Sequence, residues 1–433
     1  MGKKKILLNA FNMNCIGHIN HGLWTHPRDT STRYKTLEYW TELAQLLERG
    51  LFDGLFIADI VGVYDVYQQS VAVPLRESIQ LPVNDPLLLV SAMAAVTKNL
   101  GFGLTANLTY ETPYLFSRRL STLDHLSRGR VGWNIVTGYL DSAAKAMGLE
   151  AQAEHDRRYD QADEYLQVLY KLLEGSWEND AVVNDPVRRV YAEPDKVHKV
   201  RHQGEFYQVE GYHLCEPSLQ RTPVLFQAGS SERGLLFAGR HAECVFISGQ
   251  HKAATRAQVD KVRASAEAAG RDGQAIKVFM GINVIVGETE EAAWAKHAEY
   301  LSYASAEAGV AHFSASTGID FSEYELGADP VREEQRDPVG DPQPAEQRLD
   351  PAQAAGAARP GRALCDRGRF ADPGRRRTGV VDRRDRPGRF QPDPHRHPGK
   401  LRGLHRPGDS RVAAARFVQD RVRARDVARK TVR

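Results

Sequence analysis

A thiol and three imidazoles, Cys15, His18, His21 and His26, follow closely on the apolar run that starts at Lys5. An imidazole at the end of a buried strand can give a proton to a reacting group or take one from it. Zinc ligation is the competing chemistry, but the spacing matches no familiar ligand signature, so no metal is expected. Packing and capping are the plain alternative for each ring. Other reactive side chains fall at the same place in the pattern. Asp59 closes a second apolar run, Thr105 and Asn107 close a third, and Tyr139 follows a fourth. An acid there can cap a turn, and Thr and Asn are ordinary turn residues. His155 and Tyr159, four residues apart, meet on one face at the start of a helical stretch, beside Arg157 and Arg158. Free amides at a helix N-terminus are a ready site for a phosphate. Ser230 and Ser231, in AGSSERG after the fifth run, offer hydroxyls and amides for a second phosphate contact. His312 stands in a later irregular stretch. There is no Walker loop and no G-x-G-x-x-G. The set describes a mouth of hydroxyls, imidazoles and an anion site, which suits a phosphorylated cofactor such as FMN.

Repeated elements must position these residues. Seven short apolar runs recur: KILLNAF from Lys5, DGLFIAD to Asp59, LGFGLTAN to Asn107, RVGWNIVT to Thr137, TPVLFQAGSS to Ser231, AECVFIS to Ser248 and IKVFMGINVIVG to Gly287. Runs rich in Val, Ile, Leu and Phe without alternation read as strands buried on both faces. Helical segments between most of them imply parallel strands joined by crossovers. A helix–glycine–strand grammar appears at Gly50, Gly129 and Gly239, and a long amphipathic helix ends at Gly175. The expected fold is α/β, a TIM (β/α)₈ barrel over residues 1–334, with its chemistry at the strand C-terminal ends. Irregular stretches at 175–221 and 304–329 read as insertions folding over that face.

Composition divides the chain. Residues 335–433 hold 25 Lys and Arg against 12 Asp and Glu, while the body before them holds 33 against 43. The last part also lacks Ile, Tyr, Trp, Met and Asn. A basic disordered tail, a linker, a nucleic-acid arm and translation in the wrong frame all compete for it. The last is favoured. Codons can be chosen for Phe370–Ser410 that, read one nucleotide earlier, spell a helix, a DGFNL strand and a second amphipathic helix. The slip would lie near Glu333–Gln335, and the last barrel strand and helix would be lost with it. Nucleic acid is then not an expected partner. The four cysteines, Cys15, Cys215, Cys244 and Cys365, form no C-x-x-C, which argues against zinc sites and disulfide frameworks. No apolar run approaches the ~20 residues of a membrane span. The apolar stretch at the N-terminus is too short for a secretory signal, and Ile6 stands where a myristoylation signal has Ser or Thr. A cytoplasmic protein is expected.

Six segments resemble the flavin-dependent monooxygenases of the bacterial luciferase-like superfamily: NAFNMNCIGHINHGLW, FDGLFIADIVGVYDVY, LPVNDPLLLVSAMAAVT, RRLSTLDHLSRGRVGWNIVT, EHDRRYDQADEYLQVLYKLLEGSWE and HLCEPSLQRTPVLFQAGSSERG. The closer branch holds nitrilotriacetate, dibenzothiophene sulfone, long-chain alkane and dimethyl sulfide monooxygenases. The resemblance covers nearly all of residues 5–330. It implies reduced FMN (FMNH₂) supplied by a separate NAD(P)H-dependent flavin reductase, O₂ as co-substrate, and oxygen transfer through a flavin C4a-hydroperoxide. It implies a small organic or organosulfur compound, or an alkane, as substrate, and a homo-oligomer. By position, Asp59 and Thr105 would lie at the isoalloxazine. His155, Tyr159, Ser230 and Ser231 would bind the phosphate end. Cys15, His18, Tyr139 and His312 would line the reacting face. The alternative expectation is a flavin-binding remnant, catalytically impaired by the altered C-terminus.

Overall fold

The computed structural model describes residues 5–324, apart from Ser230 and Gln250. The calls on 335–433, on the frame slip and on Ser230 therefore lie outside the described residues. In chain order the first elements are β1 (Asn9–Met13), α1 (Leu37–Arg49), β2 (Gly54–Ala58), α2 (Ala72–Glu77), α3 (Leu87–Ala95), β3 (Gly101–Asn107), α4 (Pro113–Ser127) and β4 (Val131–Val136). Next come α5 (Asp141–Ala146), α6 (His155–Gly175) and four short strands, β5 (Val182–Asp185), β6 (Val190–Ala192), β7 (Val200–Gln203) and β8 (Gln208–Gly211). The described part ends with β9 (Val224–Gln227), α7 (Glu232–His241), β10 (Cys244–Ile247), α8 (Lys252–Ala268), β11 (Lys277–Met280), α9 (Glu290–Leu301) and α10 (Ala306–Thr317).

Seven strands form one sheet in the order β1-β2-β3-β4-β9-β10-β11, and every neighbouring pair is parallel. Neighbours in the sheet follow chain order, as in a βα barrel. The sheet is buried on both faces. Leu55, Ile57, Leu104 and Trp133 face helices and pack with Trp40, Phe116 and Tyr165. On the other face Phe56, Phe226 and Cys244 pack with Phe246 and Phe279. Gly103 and Gly132 make room for those rings: a Cβ would stand 2.8 Å from Phe56 and 2.7 Å from Phe226. Among the described residues β1 and β11 are the sheet's edges.

Several expectations shift. The first strand is Asn9–Met13, a few residues later than the apolar run, and residues 5–8 are outside it. The last run, 276–287, forms a strand only over Lys277–Met280. Gly50 has φ −76°, and the left-handed turn falls on Leu51 at φ 59°. Gly239 lies inside α7. It sits against Ser265 of α8, where a Cβ would clash with the Ser265 backbone. Close helix packing, not chain reversal, selects that glycine. The 175–221 insertion, expected over the mouth, forms the antiparallel pairs β5–β6 and β7–β8. It lies along α4 and α6: Val200 packs on Val168 and Leu172, Glu164 accepts the amides of Glu205, Phe206 and Tyr207, and His213 bonds Ser121. The reason is topological. It leaves the C-terminal end of a crossover helix and leads into the N-terminal end of β9, which is the face away from the strand tips.

Candidate active site

Three loops and one helix converge beyond the ends of the first strands. After β1 the chain turns at Asn14 and Cys15, and Cys15 pairs through a single antiparallel bridge with Val83. Asn14 O accepts from Asn84 N at 2.8 Å, which ties the loop after β1 to the segment before α3. Gln80 is held left-handed at φ 51°. Its side-chain oxygen accepts from Tyr64 Oη at 2.7 Å, and its amide nitrogen lies 3.4 Å from His18 Nδ1. A non-glycine residue held in that region stores strain, and such strain clusters at functional sites. Tyr64 Oη stands 3.2 Å from Tyr139 Oη. The His312 ring stacks on Tyr64 with centroids 5.0 Å apart, and its Nδ1 is 2.8 Å from His21 Nε2. The structure thus gathers His18, Tyr139 and His312. It adds Tyr64 and Gln80, which the sequence did not single out, and draws in His21, one of the imidazoles noted after the first apolar run. Gln80 gave no sequence signal, because its left-handed backbone is set by tertiary contacts.

Burial makes this cluster neutral. It pushes His18, His21 and His312 each down to about 4, with neighbouring imidazoles adding to the effect. It lifts the Cys15 thiol to about 12, helped by the charge of Asp59. Tyr64 and Tyr139 are likewise pushed up by burial. Asp59, the first residue past β2, is the exception that titrates near neutrality: burial raises it to about 7, against the lowering effect of the Ile60 amide. His18 Nε2 is buried and has no protein partner among the described residues.

Thr105 is buried on β3 and accepts a hydrogen bond from Asn134 Nδ2 of β4 at 3.0 Å, while Asn134 Oδ1 has no partner among the described residues. Beside Asp59 opens a cleft of about 670 Å³, lined also by Asp85, Leu87, Asn107, Tyr110 and Arg119. Of the candidates the sequence offered, Asp59 and Asn107 lie on its wall among the described residues. The imidazole cluster does not line it.

The expected phosphate end forms a second cluster. Ser231 caps α7, its Oγ accepting from Gly234 N at 3.0 Å, and that Oγ is 3.2 Å from His155 Nε2. The His155 and Tyr159 rings lie 5.1 Å apart. Tyr159 Oη accepts from Gln227 Nε2 at 3.3 Å. Gly229 and Gly234 cradle that hydroxyl, since a Cβ on either would stand 2.5 or 2.9 Å from it. Arg158 is 8 % exposed, and its buried Nε has no partner among the described residues. A buried cation without a counter-charge is costly unless an anion joins it. The donor set and the cradle fit a phosphate. Tyr110, on the cleft wall, and Tyr159 both influence Arg158. Among the described residues no hydrogen bond or ion pair joins Asp59 or Thr105 directly to this second cluster. Among the described residues no group of three or more His, Cys, Asp or Glu side chains is arranged to hold a metal ion. No described helix is long and apolar enough to cross a membrane.

Comparison with known proteins bears on the family and the fold. The family model for luciferase-like monooxygenases matches residues 19–370. The long-chain alkane monooxygenase of Geobacillus thermodenitrificans (strain NG80-2) is 55% identical over 321 residues, covering 74% of this chain and 73% of that protein. The dimethyl-sulfide monooxygenase of Hyphomicrobium sulfonivorans is 54% identical over 323 residues, covering 75% and 67%. A crystal structure of riboflavin lyase with modified FMN and riboflavin is 39% identical, with a TM-score of 0.72 over 76% of this chain and 73% of that one. With the parallel strands and these matches in agreement, the chain belongs to the luciferase-like monooxygenase family.

Proposed function

We propose that this chain oxygenates a small apolar organic or organosulfur compound, or an alkane, using FMNH₂ and O₂. The observation that carries this reading is the pairing of an uncompensated phosphate cradle around Arg158 and Tyr159 with a neutral imidazole cluster at the strand ends. Reduced FMN, when bound, supplies the electrons that activate O₂. Arg158, Tyr159, His155 and Ser231, with Ser230, hold its phosphate by charge-assisted hydrogen bonds. Asp59 and Thr105 flank its ring, and Asn134 orients the Thr105 hydroxyl. His18 and His312 present N–H donors to the reacting oxygen without carrying charge. The Cys15 thiol stays protonated and forms part of an uncharged wall, which favours an apolar substrate. Tyr139, through Tyr64 and Gln80, fixes the geometry of the histidines. The protein's task is position and exclusion of water, while the redox chemistry belongs to the cofactor. A separate NAD(P)H-dependent flavin reductase supplies the reduced flavin, and the working assembly is a homo-oligomer.

This reading takes residues 335–433 as translated out of frame, so that the sequence for a last strand and helix is lost. The second reading, a flavin-binding remnant, draws on the exposed apolar side chains at the sheet edges, among them Phe11, Ile282 and Val284. The test combines the chain with a flavin reductase, NAD(P)H, FMN and O₂ and assays sulfides and alkanes for oxygenated product. Product with FMN retained supports the monooxygenase. FMN retained in a frame-corrected chain without any product ends that reading, and sequencing codons 330–340 decides the origin of the tail.

A further inference from the structure

His21 lies in the cluster without a part in the reading above. Its Nε2 is 2.8 Å from His312 Nδ1, and the two rings are almost perpendicular, at 89°. Both rings are neutral near pH 7, because burial holds each well below the usual imidazole range. Between two neutral imidazoles one nitrogen must donate and the other accept, so the bond sets the tautomer of both rings at once.

Neither ring is free to leave. The His21 carbonyl accepts from Ser305 N, the N-cap of α10, at 3.0 Å. Gly22 follows at φ 89°, and a Cβ there would stand 2.6 Å from Ser305 N, so only glycine lets the two segments close. Ser305 Oγ accepts from Ala308 N and fixes the start of the helix that carries His312. The Tyr64 ring stacks on His312 at 18° and blocks rotation from the other side.

We propose that His21 is a positioning residue that holds His312 as its Nε2–H tautomer, keeping a donor at the nitrogen that takes no protein partner among the described residues. A free neutral imidazole favours the proton on Nε2. When His21 donates from Nε2 to His312 Nδ1, both rings keep that favoured form. The reverse bond forces both into the disfavoured one. The choice therefore falls on a donor at His312 Nε2. Its use toward the reacting oxygen rests on the monooxygenase reading, whereas the tautomer itself does not.

The test is long-range ¹H–¹⁵N correlation on the full chain, labelled with ¹⁵N-histidine and free of flavin, at pH 7. His312 is assigned by its loss in His312→Gln. The expected spectrum shows His312 with Nε2 protonated and Nδ1 as a bare acceptor. His21→Gln, whose amide reaches the place of the imidazole Nε2, keeps that pattern, and His21→Leu gives averaged shifts. A wild-type His312 protonated at Nδ1 overturns the proposal, as does an unchanged single tautomer in His21→Leu. With FMN and a reductase, His21→Leu lowers product formed per flavin oxidised by roughly tenfold while His21→Gln retains it. The predicted spectra with no product from any form leave the positioning role standing and remove the monooxygenase reading.

Discussion

Two residues give the sharpest tests at the scale of single side chains. The Cys15 thiol is held near 12 by burial and by the Asp59 charge, so thiolate is scarce at pH 8. Alkylation of Cys15 is expected to be slow there and to speed up in Asp59→Asn, because the charge that disfavours thiolate is gone; peptide mass spectrometry gives the rate. No acceleration would mean that burial alone governs the thiol. Arg158 predicts opposite signs for two measurements. Arg158→Met removes an unpaired buried cation, so the flavin-free protein melts higher. The same change raises the FMN dissociation constant by about 10- to 100-fold, the worth of a charge-assisted hydrogen bond. Flavin fluorescence titration reads the second effect, and unchanged affinity would remove Arg158 from the phosphate site. The sequence offered Cys15, His18, Asp59, Thr105 and Tyr139 as candidates because each sits near or just past a strand end, where barrel chemistry gathers. It hid Tyr64 and Gln80, which reach the site through a strained segment between β2 and α3 that has no periodic signature.

At the scale of elements, the loop after β1 is joined to α10 through uncharged imidazoles, and that makes the junction sensitive to acid. His18, His21 and His312 have folded values of about 4 against an ordinary 6.5. Between those limits the unfolded chain binds more protons, so stability falls as pH drops. Asp59 acts the other way: raised from 3.8 to about 7, it contributes most when protonated and loses that contribution as pH rises toward 7. Three histidines outweigh one carboxylate. The melting temperature is expected to fall from pH 7 to pH 4.5, with a shallower fall in His312→Gln, followed by circular dichroism. A flat profile would place these rings in solvent. The strands and the long helix α6 were legible from apolar runs and spacing. The site of the β5–β8 insertion was not, because composition marks an irregular stretch without saying which end of the barrel it leaves. The chain order of elements would have placed it.

At the scale of the whole molecule, the described residues leave two sheet edges, β1 and β11. Ile6, Leu8 and Phe11 are exposed at β1, and Met280, Ile282, Val284 and Val286 are exposed along and beyond β11. The second set alternates along the chain, which is the pattern of an extended segment with one apolar face. A barrel removes its edges only by closing, and an open apolar edge invites association. If residues 335–433 are translated out of frame, as proposed above, the sequence that would close the ring is lost. Burying four or five such side chains is worth on the order of 5–10 kcal/mol, comparable to the whole stability of a domain. A chain carrying the restored reading frame after Glu333 is therefore expected to melt well above the present one, bind less of a hydrophobic dye, and sediment as a defined oligomer in place of aggregates. Under the proposed function its FMN affinity should rise as well, since the proposed cofactor site lies at strand ends that a closed ring would hold in place. If the frame-restored chain melts and binds dye as the present chain does, the exposed edges are a feature of the native fold and the missing-strand account is wrong.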